Sequence, residues 1–501
     1  MRLILFCVLL GVIQAAPTTN TTNTTTDGSF QAPSFTTRSM WTIVSSSVLT
    51  LFACVYSAIH PNIPSPKGRG YPYILWRQLG TMMLALIAPE LIVIWAMRQW
   101  FSAQEVTKQF EHFKKSGYPK VYSESEEKVP VKALGTGHPF LQFFFLWQKA
   151  TGRLYRLFVA GFLSVLASLW HSLCAPVRWV ARWIRSEQFE PDPEEFTWTQ
   201  THSFFALMGG FMLYVNGKPY CVLQPEHIRK LIRQKCIDAP TLTADEINDR
   251  SKGNAISKGL VILQVAWFVV QLITRAIYRL EITQLEVGTL AFAVLNFLTY
   301  AVWWYKPLNV ECPHPVHWKL TESELKDYID VSDTNEFAQF RFLPRVLRPI
   351  IELIGWAGIP TSRKLQVPTF DGSIKLNVSD RMVLQQAALH MATIFGGIHC
   401  MAWFFAFTTY QEQMLWRISA VAITCTPWLC LSAYLVREII NSVRHIPDSA
   451  KHVIWGVICS AFAILYITAR AVLLVLMFTT LRNLPPDAYK AVSWVTLVPH
   501  L

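Results

Sequence analysis

Two ionisable side chains, Glu90 and Arg470, lie deep inside apolar stretches of the chain, where burying a charge is costly. Glu90 directly follows Pro89 within the stretch Leu79–Met97. Proline removes a backbone donor and frees an upstream carbonyl, so water or a cation could bind there. Glu90 could then line a pathway or transfer protons. The alternatives are pairing with a cation inside a helix bundle, or a position near the membrane interface.

Arg470 is the candidate partner of Glu90, because these are the two opposite charges that lie deep in apolar stretches. The alternative is that Val453–Ala469 forms a complete span. Arg470 would then extend to the edge of the membrane, with Ala471–Leu481 continuing as an interfacial helix.

Two further stretches carry polar stripes, formed by Gln264, Gln271 and Arg275 in one and by Thr289, Asn296 and Tyr300 in the next. The spacings place each stripe on one helical face. Because the two helices form a predicted hairpin, the stripes could face each other and act as structural hydrogen-bonding groups.

Two histidines, His390 and His399, share one apolar stretch, but nine residues separate them and place them on opposite helical faces. One metal ion cannot bind both, so each is interpreted as a core histidine. The pair Gly396-Gly397 between them permits close helix approach or a bend.

Three potential metal ligands, Cys312, His314 and His317, occur in the segment CPHPVH. The prolines keep this backbone extended and no second ligand pair stands nearby, so neither a metal site nor a cofactor is predicted. The sequence also lacks the motifs of phosphate-binding loops, nucleophile elbows and zinc proteases. A disulfide between Cys221 and Cys236 is possible if their loop faces the lumen.

Long charge-free runs show which elements must position these residues. Residues 382–411 contain no charge, and neither do residues 287–305 or 418–436. A helix needs roughly 20 apolar residues to cross a bilayer. Charged residues make up 16% of the chain, against about 25% in soluble proteins. The predicted fold is an all-α membrane protein, a polytopic bundle of seven or eight transmembrane helices with two larger polar loops.

The chain divides into segments along these lines. We predict a signal peptide (1–16), a disordered Thr/Asn-rich extracytoplasmic tail (17–40), the first two spans (41–97), a polar region (98–258) with a possible span (157–174), a helical hairpin (259–305), a polar loop region (306–386), the last three spans (387–481) and a tail (482–501). Within the polar region, Trp198–Phe211 is predicted to be re-entrant or buried, and a helix is predicted to start at Thr243.

The amino-terminal segment sets the orientation. A positive start, a short apolar core and small residues indicate a secretory signal, although an uncut anchor is the alternative. Asn20 and Asn23 head glycosylation sequons, so the mature terminus is predicted to face the lumen or the outside. Counts of Lys and Arg then favour eight spans over seven, which makes Asn377 cytoplasmic. However, the cationic flanks of 157–174 also fit a helix lying flat in the interface.

Several stretches, including Trp198–Tyr214, Asp249–Arg275, Leu285–Pro313 and Cys54–Pro66, resemble a large family of uncharacterised fungal multi-span membrane proteins. The resemblance covers most of the chain, with residues near 120–195 as an insertion. It implies the protein class and no catalytic residue.

The predicted function is that of an integral membrane protein of the secretory pathway or plasma membrane, with a role in transport or sensing. The predicted partner is the lipid bilayer rather than nucleic acid, because the net charge of +12 fits basic loops at anionic lipid. The rival functions are a lipid-modifying intramembrane enzyme and a scaffold or receptor that acts through its loops.

Overall fold

The computed structural model describes residues 35–64, 71–115, 152–153, 156, 198–251, 255–319, 365–367, 372–441 and 448–492. The predicted signal peptide, the sequons at Asn20 and Asn23, and the possible span 157–174 lie outside the described residues. The described part is mostly helical, as predicted, and it also contains two small sheets.

Eleven α-helices lie in the described ranges. They are α1 (Met40–Ala58), α2 (Tyr71–Ile87), α3 (Pro89–Lys115), α4 (Gln200–Leu207), α5 (Pro225–Arg233), α6 (Ala244–Arg250), α7 (Ala255–Ile277), α8 (Gln284–Val302), α9 (Val378–Cys400), α10 (Tyr410–Asn441) and α11 (Asp448–Thr479). The predicted start at Thr243 is confirmed, because its hydroxyl and Glu246 form a reciprocal cap on α6.

Five strands form the two sheets. They are β1 (Phe35–Thr37), β2 (Phe211–Val215), β3 (Lys218–Val222), β4 (His314–His317) and β5 (Lys490–Val492). β1 pairs antiparallel with β5, although these strands come from opposite ends of the chain. β2 and β3 form a hairpin, and β4 adds to β2 in parallel. Asn216 and Gly217 both have positive φ, as the tight turn between β2 and β3 requires.

One end of the bundle, here called the terminal end, gathers β1, β5 and the connections α7–α8 and α9–α10. Arg38 pairs with Glu286 there, with a shortest N–O distance of 2.6 Å. Gln284 donates to the Ala406 carbonyl at 2.8 Å. Both termini of the described chain therefore lie at the same end.

The opposite end, here called the domain end, holds the three-stranded sheet with α4, α5 and α6. The Ile63 amide donates to the Met208 carbonyl at 2.9 Å, which attaches the segment after α1 to this domain. The Ile374 amide, just before α9, donates to Ser102 at 3.1 Å. Six of the described helices run between the two ends: α1, α7, α8, α9, α10 and α11.

Five helical segments are long and apolar enough to cross a bilayer, or six if a bent pair counts as one span. The five are Met40–Ala58, Gln284–Val302, Val378–Phe404, Tyr410–Ala433 and Val453–Arg482. Val261–Ile277 is a shorter apolar stretch within α7. The predicted count of seven or eight is thus not reached in the described residues.

The bent pair is α2 with α3, and it replaces the straight span predicted for Leu79–Met97. The two helices meet at 113° across Ala88. Pro89 explains the break, because its ring and missing amide hydrogen interrupt a helix but suit the first turn of a new one. The far part of α3 packs on the domain, where Phe110 stacks on Trp198 with ring centroids 3.8 Å apart. The α2–α3 pair therefore enters the bundle from the domain end and returns to it.

Close helix contacts form where side chains are small. A Cβ on Gly396 would lie 2.2 Å from the Thr424 hydroxyl, so only glycine permits this approach of α9 to α10. The prediction of close approach is confirmed for Gly396, whereas Gly397 has nothing within 4 Å of such an atom.

The segment Trp198–Phe211 is buried, but it is not re-entrant. It forms α4 and the start of β2 inside the domain. The apolar run that suggested membrane burial instead supplies the domain's own core.

Candidate functional site

The structure brings Glu90 and Arg470 together in the middle of the bundle. Arg470 Nη2 donates to Glu90 Oε2, and the Tyr466 hydroxyl donates to Glu90 Oε1 at 2.7 Å. Both charged side chains are 7% exposed. One carboxylate thus accepts two donors from α11.

The bend at Ala88 positions Glu90 for this role. Glu90 lies in the first turn of α3, where the helix has free amides and a positive dipole end. A straight helix would place Glu90 mid-span with no such stabilisation. The break after Ile87 therefore creates a helix N-terminus inside the bundle, with Glu90 in its first turn.

Arg470 has hydrogen-bonding capacity that the described residues do not use. Its Nε and Nη1 are buried and have no hydrogen-bond partner within the described part of the chain. The guanidinium lies 3.7 Å from the Phe395 ring centroid, so one face is covered by an aromatic ring. Buried donors of this kind usually bind water, an ion or a ligand.

His399 lies next to this pair through Phe395. Its ring centroid is 4.5 Å from that of Phe395, and its Nδ1 lies 2.8 Å from the Phe395 carbonyl oxygen. Its Nε2 is buried with no partner among the described residues. A second polar atom with unused capacity thus lies near Arg470.

His390 does not join this cluster. Its Nδ1 lies 2.7 Å from the Gln386 carbonyl oxygen, and its ring contacts Trp428. The predicted separation of the two histidines on α9 is confirmed.

The predicted contact between the two polar stripes does not form, because α1 packs between α7 and α8. Gln264 donates to Thr50 of α1 at 3.1 Å. Asn296 donates to the Phe292 carbonyl of its own helix at 2.9 Å. The sequence gives the correct polar positions here, but it does not reveal the helix inserted between them.

The terminal end is closed by a second charged cluster. Arg38 binds both carboxylate oxygens of Glu286, at 2.6 and 3.2 Å. Arg275 donates to the backbone carbonyls of Glu281, Lys490, Asp487 and Ala488. Arg275 therefore fastens the α7–α8 connection to the last strand.

The most buried cation among the described residues was not predicted from the sequence. Lys306 is 2% exposed, although its position after a charge-free run suggested the start of a polar loop. Its Nζ donates to the His60 carbonyl, to Gln99 Oε1 at 2.8 Å and to Asn62 Oδ1 at 3.4 Å. The rings of Trp95 and Trp303 lie 5.1 and 4.5 Å from it. The tryptophans near the end of this run were the only sequence signal of such a cage.

The potential metal ligands after α8 do not converge. His314 and His317 lie in β4 against Phe211 and Tyr214 respectively. No group of three metal-ligating side chains occurs among the described residues. A disulfide between Cys221 and Cys236 was possible from the sequence, but in the structure both are free, buried thiols.

His202 in the domain has an unusual cap. Its Nδ1 accepts from the Thr199 amide at 3.1 Å, and its Nε2 lies 2.8 Å from the Leu242 carbonyl oxygen. This geometry requires the neutral ring with the proton on Nε2. Burial lowers the pKa of His202, and the contact with the Leu242 carbonyl opposes this effect.

The chain matches a family of unknown function, DUF8562, over residues 4–140, 180–334 and 368–501. The chain belongs to this family. The expectation of an uncharacterised family is therefore confirmed, whereas the fungal source stays a prediction. The family match omits residues 141–179, which lie inside the predicted insertion. No curated protein and no solved structure matches the chain.

Proposed function

We propose that this DUF8562 protein is an integral membrane protein whose bundle crosses the bilayer six times. The observation that carries this proposal is the outward apolar face of α11. It exposes Val453, Ile454, Val457, Ile464, Leu465, Ile467, Leu474, Val475 and Phe478. A soluble helix bundle buries such residues, whereas a lipid-facing helix presents them outward.

The six proposed crossings are α1, α7, α8, α9, α10 and α11. Glu286 and Lys306 bound the charge-free run that contains most of α8, and the 19 residues of this helix measure roughly 28 Å. This length is close to the usual thickness of the hydrocarbon core. Both boundary charges are buried among polar partners, which fixes the depth of the bundle at each end.

The pair α2–α3 enters from the domain end without crossing, and the stretch 157–174 is not counted as a crossing. Arg153, just before that stretch, pairs with Asp380 at the start of α9 at 2.7 Å. Trp198, the first described residue after it, packs on Phe110. Both flanks therefore lie at the domain end.

This arrangement keeps the sidedness that the predicted eight-span topology required. Two predicted crossings are removed, so every later loop stays on its predicted side. With the amino terminus outside, the domain end faces the cytoplasm. The proposal agrees with the excess of Lys and Arg in the connections at that end.

Insertion of one glycosylation cassette at two places tests the proposed sidedness. A flexible sequon-containing loop inserted after Ala406 lies at the terminal end, and the same loop after Ala239 lies at the domain end. We expect the first to be glycosylated in a eukaryotic host and the second to stay unmodified. A glycan on the loop inserted after Ala239, or on native Asn377, contradicts the proposed topology. Extraction of the protein by alkaline carbonate without detergent contradicts membrane residence itself.

Within this membrane protein we propose that Glu90 and Arg470 form a binding site for a small polar solute, used in transport or sensing. The main support is that Arg470 is buried beside a helix N-terminus and that two of its nitrogens have no hydrogen-bond partner among the described residues. Broken helices at mid-membrane supply such sites in secondary transporters. The unused donors require a hydrogen-bond acceptor, such as a carboxylate or phosphate oxygen.

Thermal unfolding of the purified full chain in detergent tests this site. Acetate, succinate, inorganic phosphate and glycerol serve as probes. We expect at least one anion to raise the unfolding temperature of the wild type, and Arg470→Lys to abolish the shift. Tyr466→Phe is the matched control, because it removes one hydrogen bond to Glu90 and leaves the guanidinium intact. The proposed site is contradicted if every solute shifts the unfolding temperatures of the wild type and of Arg470→Lys equally.

A further inference from the structure

A cavity of about 400 Å³ lies between α1, α7 and α8, away from the Glu90 site. Its walls are mostly apolar, formed by Val261, Ile262, Val265, Ala266, Val269, Val270, Ala293, Val294, Phe297 and Leu298. A volume in this range accommodates one small ligand.

The cavity is an elongated groove that opens to the outside of the bundle. Val261 and Val270 mark its extent along α7, a length of roughly 14 Å at 1.5 Å per residue. Val270 is 42% exposed, so the groove faces the medium that surrounds the helices. Given the membrane residence proposed above, on which this inference rests, that medium is lipid.

One polar group in the lining lacks a partner. Tyr300 is 6% exposed, and its hydroxyl has no hydrogen-bond partner among the residues that the structure describes. The other polar side chains are engaged, since Ser57 donates to the Ala53 carbonyl and Asn296 to the Phe292 carbonyl. Burying a hydroxyl without a hydrogen bond is unfavourable, so its site favours a ligand that supplies one.

We propose that this groove binds a sterol, with the sterol hydroxyl hydrogen-bonded to Tyr300 and the fused rings along α7. A sterol combines one small hydroxyl, which can donate and accept, with a rigid apolar body. Its one hydroxyl matches the one unpartnered hydroxyl, that of Tyr300, among the described residues that line the groove. A phospholipid would instead have to bring a charged headgroup beside Tyr300. The valines along α7 have stiff side chains, which suits a rigid ligand because little freedom is lost on binding.

Photolabelling with a diazirine sterol tests the proposal on the full chain in nanodiscs. We expect adducts on peptides of α7 and α8, suppressed by excess unlabelled sterol and unaffected by excess phosphatidylcholine. Ala266→Trp should fill the groove and abolish the adducts. Ala463→Trp, on the exposed face of α11, is the matched control and should leave them unchanged. Adducts that persist in Ala266→Trp, or equal competition by phosphatidylcholine, overturn the proposal.

A two-by-two comparison tests the hydrogen bond. Tyr300→Phe should weaken binding of the hydroxyl sterol roughly fivefold, the effect of one ordinary hydrogen bond. A sterol without its hydroxyl should bind wild type and Tyr300→Phe equally. Equal binding of the hydroxyl sterol to both proteins overturns the assigned orientation. Extraction by alkaline carbonate would contradict membrane residence. Negative results in the sterol experiments would contradict only the proposed sterol site.

Discussion

Two buried cations, Lys306 and Arg470, contrast in how the fold satisfies them. Lys306 at the domain end has three oxygen acceptors and two indole faces around one ammonium. Arg470 in mid-bundle has one carboxylate, one aromatic face and two nitrogens without partners in the described chain. A saturated cation fixes structure, whereas an incompletely satisfied one keeps capacity for a ligand. The contrast supports the proposal that Arg470 takes part in binding, whereas we expect Lys306 to contribute to stability alone.

The largest loss of stability is expected when Arg470 loses its buried counter-ion. Glu90→Leu leaves Arg470 buried without a carboxylate, which should lower the free energy of unfolding by about 3–5 kcal/mol. Chemical unfolding in mixed micelles measures this loss. The double variant Glu90→Leu with Arg470→Met removes both charges and should recover most of the stability. A double variant no more stable than the single one would break the contrast.

Lys306→Met should cost about 2–3 kcal/mol, because the acceptors around the ammonium lose their donor without leaving a charge behind. The same unfolding titration measures it. Solute binding at the Glu90 site should be unchanged in this variant, measured as the thermal shift with the effective anion. Loss of that thermal shift in a folded Lys306→Met protein would mean that Lys306 also contributes to solute binding, which contradicts the contrast between the two cations.

Acid should destabilise the domain end, since burial lowers the pKa of His202 and its Nδ1 must stay unprotonated to cap α4. The unfolded chain takes up this proton near pH 6.5, while the folded domain resists it. Stability is therefore full above pH 6.5 and falls as the pH drops below it. We expect a lower unfolding temperature at pH 5.5 than at pH 7.5. His202→Gln keeps a capping side chain that does not titrate, so it should narrow this difference. An unchanged difference would exclude His202 as its source.

The smallest effect is expected at an ion pair whose cation is exposed. Arg482 is 69% exposed in its pair with Glu412, so Arg482→Met should cost less than about 1 kcal/mol. This variant calibrates the unfolding measurements at the terminal end. A loss as large as that of Lys306→Met would mean that burial does not govern these charges.

The pairing of Glu90 with Arg470 could be predicted from the sequence because a charge in an apolar helix needs an opposite charge nearby. The position of the pair could not. Pro89 was visible, but the local sequence does not distinguish a kink within one span from a reversal between two helices. That choice depends on where the far part of α3 packs, which is a long-range contact with the domain.

Lys306 shows a different limit. A lysine that follows a charge-free run normally extends to the membrane surface, and the sequence placed Lys306 at the start of a predicted polar loop region. The acceptors that bury it come from His60, Asn62 and Gln99, all more than 200 residues earlier in the chain. Such a cage has no local pattern. The predicted contact between the polar stripes of α7 and α8 was wrong for the same reason, because α1 packs between two helices that are adjacent in sequence.

The pairing of β1 with β5 has a consequence for biogenesis. Thr36 donates to the Ala491 carbonyl across 455 residues of chain, so this sheet cannot form until the final strand has left the ribosome. All eleven described helices precede β5 in the chain, so they are synthesised before this strand pair can form. Truncation just before Lys490 would remove the carbonyl that Arg275 Nη1 binds and the strand that pairs with β1.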